Sequence, residues 1–141
     1  MSVILKVEVA TPEKLLLSVE SQFVVAPGEA GDIGVLPGHT PLMTLLRAGE
    51  LQIGDEDEAQ RFAVSGGFAE VLPDRVTLLV DEALPLADID QEKSIRQLQD
   101  AMEKISGLND ELPEYHVQLR RIAFAEACIA LLKKMSGSKG H

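Results

Sequence analysis

An all-β domain followed by an antiparallel two-helix hairpin is the fold class this sequence predicts. Three observations carry that prediction. Hydrophobic periodicity changes from two to about 3.6 residues near residue 86. Six of the seven prolines and eight of the eleven glycines fall before that point, as turn punctuation between short strands would require. Charge shifts at the same place: residues 1–85 carry 5 basic and 14 acidic side chains, residues 86–141 carry 8 and 9. The expected organisation is a β-sandwich or barrel over 1–86, a helical hairpin over 87–135 and a flexible tail over 136–141.

Taken in order, "VILKVEV" alternates, with Ile4, Lys6 and Glu8 on one face and Val3, Leu5, Val7 and Val9 on the other. Thr11-Pro12 stops it. "SVESQFVVAP" reads as a second strand region ended by Pro27-Gly28. "LQIGDEDEAQRFAVSG" reads as a hairpin with an acidic tip at 55–58, and "GFAEVLPDRVTLLVDEA" as another turning at Pro73-Asp74. "VTLLV", residues 76–80, is apolar on both faces and predicts a central strand. Beyond residue 86, Ile95, Leu98, Met102 and Ile105 form one stripe at steps of three and four. Asp88 or Asp90 suits the N-cap, and Gly107 suits a left-handed C-cap. Pro113 suits the first turn of a second helix running to Met135. Its buried face is expected to hold Phe124, Cys128, Leu131, Leu132 and Met135, extended by Ile122 and Ile129.

Composition excludes several functions. The chain has no Trp and one Tyr, so it lacks an aromatic platform for single-stranded nucleic acid. A net charge of −10 opposes phosphate backbones and anionic membrane surfaces. The single Cys128 rules out an internal disulfide and reads as a small buried hydrophobe. No apolar run reaches the roughly 18 residues of a membrane span, and the N-terminus carries no signal-peptide pattern.

Candidate chemistry is sparse. His39 sits in "GDIGVLPGHTPLMTLL", residues 31–46, a stretch open to three readings: a ligand cradle, a site built on His39, or a rigid bend that meets a partner. No second histidine stands at metal-ligand spacing from it. Ser65-Gly66-Gly67 is neither a nucleophile elbow nor a P-loop, and paired glycines between strands read as a bulge or tight turn. The acidic tip falls short of calcium-loop spacing. These residues describe a binding or structural module better than an enzyme.

Two long stretches then match something specific. "GDIGVLPGHTPLMTLLRAGELQI" and, after it, "FAVSGGFAEVLPDRVTLLVDEA" resemble the epsilon subunit family of the bacterial F-type rotary ATP synthase. The helical segment after "IDQEK" extends the likeness over nearly the whole chain. The resemblance implies a ten-stranded β-sandwich, a two-helix domain, and a rotor role bound to the gamma subunit and the ring of c subunits. Catalysis belongs to the alpha and beta subunits in that family, and no cofactor is required. It implies contact with the c-ring and gamma through Asp32, His39 and Thr40. Two prolines stiffen that bend and lower the entropy cost of binding.

The family's hairpin can extend into the catalytic head and block ATP hydrolysis. Arg120, Arg121, Lys133 and Lys134 would then meet an acidic loop of the beta subunit. Some members also bind ATP on the folded hairpin through an I-D-x-x-R-A motif. The corresponding residues here run Ile89-Asp90-Gln91-Glu92-Lys93-Ser94. Asp90 and Lys93 would be the ATP contacts, but Lys93 lacks the planar fork of arginine, and Asp90 also serves as an N-cap. The resemblance places the protein at the cytoplasmic face of a bacterial plasma membrane. Two rival readings stand beside it: a small hydrolase using His39 and Ser65, and a free-standing binding module.

Overall fold

A computed structural model describes residues 3–138. Ten strands come first: β1 (Leu5–Ala10), β2 (Leu15–Ser21), β3 (Val24–Gly28), β4 (Gly31–Val35), β5 (Leu42–Leu46), β6 (Gly49–Ile53), β7 (Gln60–Val64), β8 (Gly67–Leu72), β9 (Arg75–Val80) and β10 (Ala83–Pro85). A 3-10 turn at Leu86–Asp88 leads to α1 (Gln91–Ile105) and α2 (Pro113–Ser138). The ten strands agree with the sandwich that the resemblance implies.

Hydrogen bonds link the strands in the order β10-β7-β6-β3-β5-β8-β9-β1-β2, with β4 on the free side of β3. β3 pairs with β6 at Val24 and Val25 but with β5 at Gly28. One strand therefore changes neighbour along its length, and the sheet folds over on itself at that corner. The two layers enclose Leu5, Val7 and Val9 of β1, Val76, Leu78 and Val80 of β9, and Leu51, Ile53, Phe62 and Val64 of β6 and β7. These residues alternate along their strands, so the period-two pattern places one face of each strand inside.

Several sequence expectations need correction. "SVESQFVVAP" is two strands, β2 and β3, broken at Gln22-Phe23, where the Ser21 hydroxyl donates to the Phe23 carbonyl at 2.9 Å. Pro27 and Gly28 end β3, as expected, and do so while still part of the ladder. They pair with Asp32 and Gly31 across a tight hairpin. In α1 the inner stripe is Ser94, Leu98, Ala101 and Ile105. Ser94 and Ala101 are buried, while Ile95 and Met102 lie outside at 37% and 54% exposure. Small residues at the contact let the two helices approach closely, and the larger side chains are displaced to the flanks. Gly107 takes no left-handed conformation. Ser106 closes α1 in the right-handed region, its N–H donating to the Met102 carbonyl at 3.2 Å. α2 runs three residues past Met135, to Ser138. Lys134, fixed to Glu50 at 2.7 Å, anchors its last turns to the sandwich. The rest of the expected tail, 139–141, lies outside the described residues.

Other expectations agree. Asp90 caps α1 by accepting the Lys93 N–H at 3.0 Å. Leu72 pairs with Arg75 across the two-residue turn Pro73-Asp74. Cys128 and Leu131 are buried against Ala63 of β7 and Ile89, with Phe124, Leu132 and Met135 packed around them.

Candidate functional site

The 31–46 stretch is not a single bend. Residues 31–35 are strand β4, and the loop covers 36–41. Asp32 accepts from Arg47 Nη2 at 2.6 Å, and Arg47 also donates to the Gly28 carbonyl, which ties down the β3–β4 turn. His39 and Thr40 lie elsewhere. The Gly38 N–H donates to the Pro73 carbonyl at 2.7 Å, placing this loop beside the β8–β9 turn. Arg47 follows the end of β5, whereas Leu42, at its start, pairs with Val71 near that turn. Asp32 and His39 therefore sit at opposite ends of β5, on the order of 13 Å apart along the strand. The structure does not bring Asp32 together with His39 and Thr40. The His39 Nδ1 lies 2.6 Å from the Thr40 carbonyl oxygen. A carbonyl oxygen only accepts, so Nδ1 is the donor in that contact.

The hydrolase reading fails on the same geometry. Ser65 precedes β8 and the His39 loop meets the turn that follows it, so the strand's length, on the order of 17 Å, separates them. The Ser65 hydroxyl accepts the Glu82 N–H at 2.8 Å. Gly66 and Gly67 have φ of +106° and +150°, and a Cβ on Gly67 would lie 2.0 Å from the Leu79 carbonyl oxygen. These glycines permit a close strand crossing, as the turn reading expects. Among the described residues no group of acidic, His or Cys side chains could hold a metal ion.

A surface that the sequence reading missed lies on the outer face of the β5-β8-β9-β1-β2 layer. Leu45 pairs with Phe68, Phe68 with Leu79, Leu79 with Ala10, and Ala10 with Leu15. These five form one apolar row across five strands. At about 4.8 Å per strand it spans roughly 19 Å. Leu45, Leu79 and Leu15 are 56%, 51% and 55% exposed. The expectation that residues 76–80 form a central strand agrees, since β9 lies between β8 and β1, and Leu79 on its outer face is open to solvent. Apolarity on both faces of "VTLLV" was the available signal for this exposed apolar face. A contiguous exposed apolar row on a folded monomer marks an interaction site.

The hairpin cations divide into two groups. Arg121 Nη2 meets Asp100 of α1 at 3.0 Å, and Lys134 meets Glu50 of β6 at 2.7 Å. Arg120 and Lys133 are exposed and make no ion pair among the described residues. Lys104, then Arg121, hold the Asp100 carboxyl below its usual value of 3.8 by hydrogen bonding. Burial pushes the Cys128 thiol above 9.0. The Ser94 hydroxyl opposes that shift, and the Glu82 carboxylate adds to it.

Asp90 and Lys93 both line a cleft between the β9–β10 turn and the two helices. It encloses about 180 Å³ and sets one cation, Lys93, against the carboxylates of Glu82, Asp88 and Asp90. Ligand pockets for molecules of drug size run roughly 300–1,000 Å³.

A layered β-sandwich with an exposed apolar row, and a helical hairpin docked on it through a small apolar cluster and one ion pair among the described residues, has the make-up of a class: a protein-binding subunit of a larger assembly. Residues 4–86 match the ATP synthase delta/epsilon chain β-sandwich domain family. The chain is 43% identical over 133 residues to the ATP synthase epsilon chain of Magnetococcus marinus, covering 94% of this chain and 97% of that one. It is 42% identical over 104 residues to the epsilon chain of Maricaulis maris, covering 74% and 78%. A chain of the Euglena gracilis mitochondrial ATP synthase OSCP/F1/c-ring structure shares its fold, with a TM-score of 0.78 at 24% identity over 94% of this chain and 83% of that one. The chain belongs to the ATP synthase delta/epsilon family.

Proposed function

We propose that this chain is a non-catalytic rotor subunit of the central stalk of a proton-translocating F-type ATP synthase. The observation that carries the reading is the apolar row Leu45–Phe68–Leu79–Ala10–Leu15, a face built to be covered, in a member of this family. The gamma subunit covers that row, and the loop at 36–41, with His39 and Thr40, meets the c-ring. Asp32 contributes at the other end of β5 through its carboxylate. The subunit is held at the cytoplasmic face of the bacterial membrane by its complex; no described helix is long and apolar enough to cross a membrane.

The hairpin inhibits ATP hydrolysis by leaving the sandwich and reaching the alpha and beta subunits of the head. Arg120 and Lys133 already face solvent, Lys134 becomes available once Glu50 is left behind, and Arg121 travels with its Asp100 partner inside the hairpin. Exposed Ile95 and Met102 supply apolar surface for the released state. ATP plays no part in holding the hairpin, because the cleft at Asp90 and Lys93 is small and acidic; calorimetric detection of micromolar ATP binding would overturn that. The deciding experiment is truncation after Leu86 in the assembled enzyme. ATPase activity should rise several-fold while the subunit still co-purifies with the complex. Unchanged activity would refute inhibition by the hairpin.

A further inference from the structure

Among the described residues, one ion pair joins the hairpin to the sandwich: Lys134 Nζ to Glu50 Oε1, 2.7 Å. The remaining contact is apolar, with Cys128 and Leu131 set against Ala63 and Ile89. Apolar burial attracts but gives no direction. The ion pair is the one contact that sets where along the sandwich α2 ends.

Its sandwich half is unusually well prepared. Glu50 and Gln52 on β6 and Arg61 and Ala63 on β7 share the outer face of that layer, since Glu50 pairs with Ala63 and Gln52 with Arg61. The Arg61 side chain is only 3% exposed and donates to Glu50 Oε2, to Gln52 Oε1 at 3.2 Å and to Glu56 at 3.2 Å. A buried guanidinium cannot be left without anionic partners. Glu50 is therefore fixed in place whether or not Lys134 is present, and little side-chain freedom is lost when Lys134 arrives. Charge is matched as well: two carboxylates around one guanidinium leave one negative charge, which Lys134 meets. On release, Lys134 returns to water and Glu50 stays on Arg61, so no buried charge is stranded. The Arg121–Asp100 pair lies wholly within the hairpin and travels with it.

We propose that Lys134 and Glu50, the latter seated on buried Arg61, form a latch that holds the folded hairpin and makes its release depend on ionic strength. Its regulatory meaning rests on the hairpin function proposed above; the latch itself is a property of the free chain. A half-exposed pair of this kind is screened by salt, because the Debye length falls from about 10 Å at 0.1 M to about 3 Å at 1 M.

Cys128, the single cysteine, reports on the latch because it is buried where α2 meets the sandwich. Alkylation of the full chain by iodoacetamide at fixed pH follows the open population when reclosing is fast. At low salt, Lys134→Gln should raise the rate roughly two- to fivefold, the range of a partly exposed ion pair. It should also abolish the acceleration that sodium chloride produces in the parent chain. Lys134→Arg should restore both, and Lys133→Gln, one residue away on the exposed side, should change neither. Equal salt dependence in Lys134→Gln and the parent, or an equal effect of Lys133→Gln, would overturn the latch. The outcomes are separable: unchanged ATPase on truncation refutes inhibition and leaves these rates as they are, whereas flat rates refute the latch and leave the truncation result standing.

Discussion

Asp90 shows how much one side chain settles locally. It takes the extended conformation before α1 and accepts the Lys93 N–H. That bond satisfies one of the backbone donors orphaned at a helix start. Asp90→Ala should lower stability by about 1 kcal/mol, and Asp90→Ser should recover most of it. Thermal unfolding followed by circular dichroism measures both. If the side chain instead served a nucleotide, the two variants would fail alike in ATP binding and differ little in melting. Lys93 plays its local part through its backbone N–H, so Lys93→Gln should melt with the parent.

The hairpin carries its own internal test. α1 meets α2 through Ser94 and Ala101, which are buried, so the contact has no room for a larger side chain. Ala101→Leu should destabilise by roughly 1–3 kcal/mol through overpacking, whereas Met102→Ala, on the exposed flank, should be near neutral in the free chain. This contrast also shows where sequence reading reaches its limit. The stripe Ile95–Leu98–Met102–Ile105 has helical spacing, so the helix itself was legible. Hydrophobicity alone does not say that Ala101 and Ser94 permit the close approach, because that depends on what lies across the contact. Strand ends marked by proline were legible both at Pro73-Asp74 and at Pro27-Gly28, but the pairing of Pro27 with Asp32 in the next strand was not. Turn chemistry fixes local conformation, but pairing partners are distant in sequence.

Asp100 sets the pH response of the same element. Its carboxyl titrates below 3.8 in the folded chain because Lys104 and Arg121 hold it ionised. A lowered folded value means stabilisation that is present above 3.8 and lost as pH falls through the folded value. The parent chain should therefore melt above Asp100→Asn at pH 6, and the two melting curves should converge on acidification below 3.8. A constant gap down to pH 2 would remove Asp100 from the account. The candidate site was less legible than the fold for a related reason. Asp32 and His39 are seven residues apart in one motif, yet β4 and the loop after it send them to different ends of β5. Arg61 and Glu50 are eleven apart, in two strands of one hairpin, and the turn between them brings them into contact.

For the molecule as a whole, the outer apolar row and the hairpin latch are two surfaces with different demands. The row must be covered for good, since solvent-exposed Leu45, Leu79 and Leu15 gain only when a partner removes them from water. Leu79 lies at its middle, between Phe68 and Ala10. Leu79→Gln keeps the size of the side chain nearly unchanged and removes its apolar gain. In the free chain that position is half open to solvent, so melting should shift little. In the complex it should forfeit about 0.8–1.5 kcal/mol of burial, half the value of a whole leucine side chain, a loss of roughly four- to twelvefold in affinity for the stalk partner. Titration of purified gamma subunit against the parent and variant chains reads this directly. Undiminished affinity with an unchanged melting temperature would mean that the row is not the docking face. A variant that melts well below the parent would instead mean that Leu79 supports the sandwich and that its exposure does not mark the partner site.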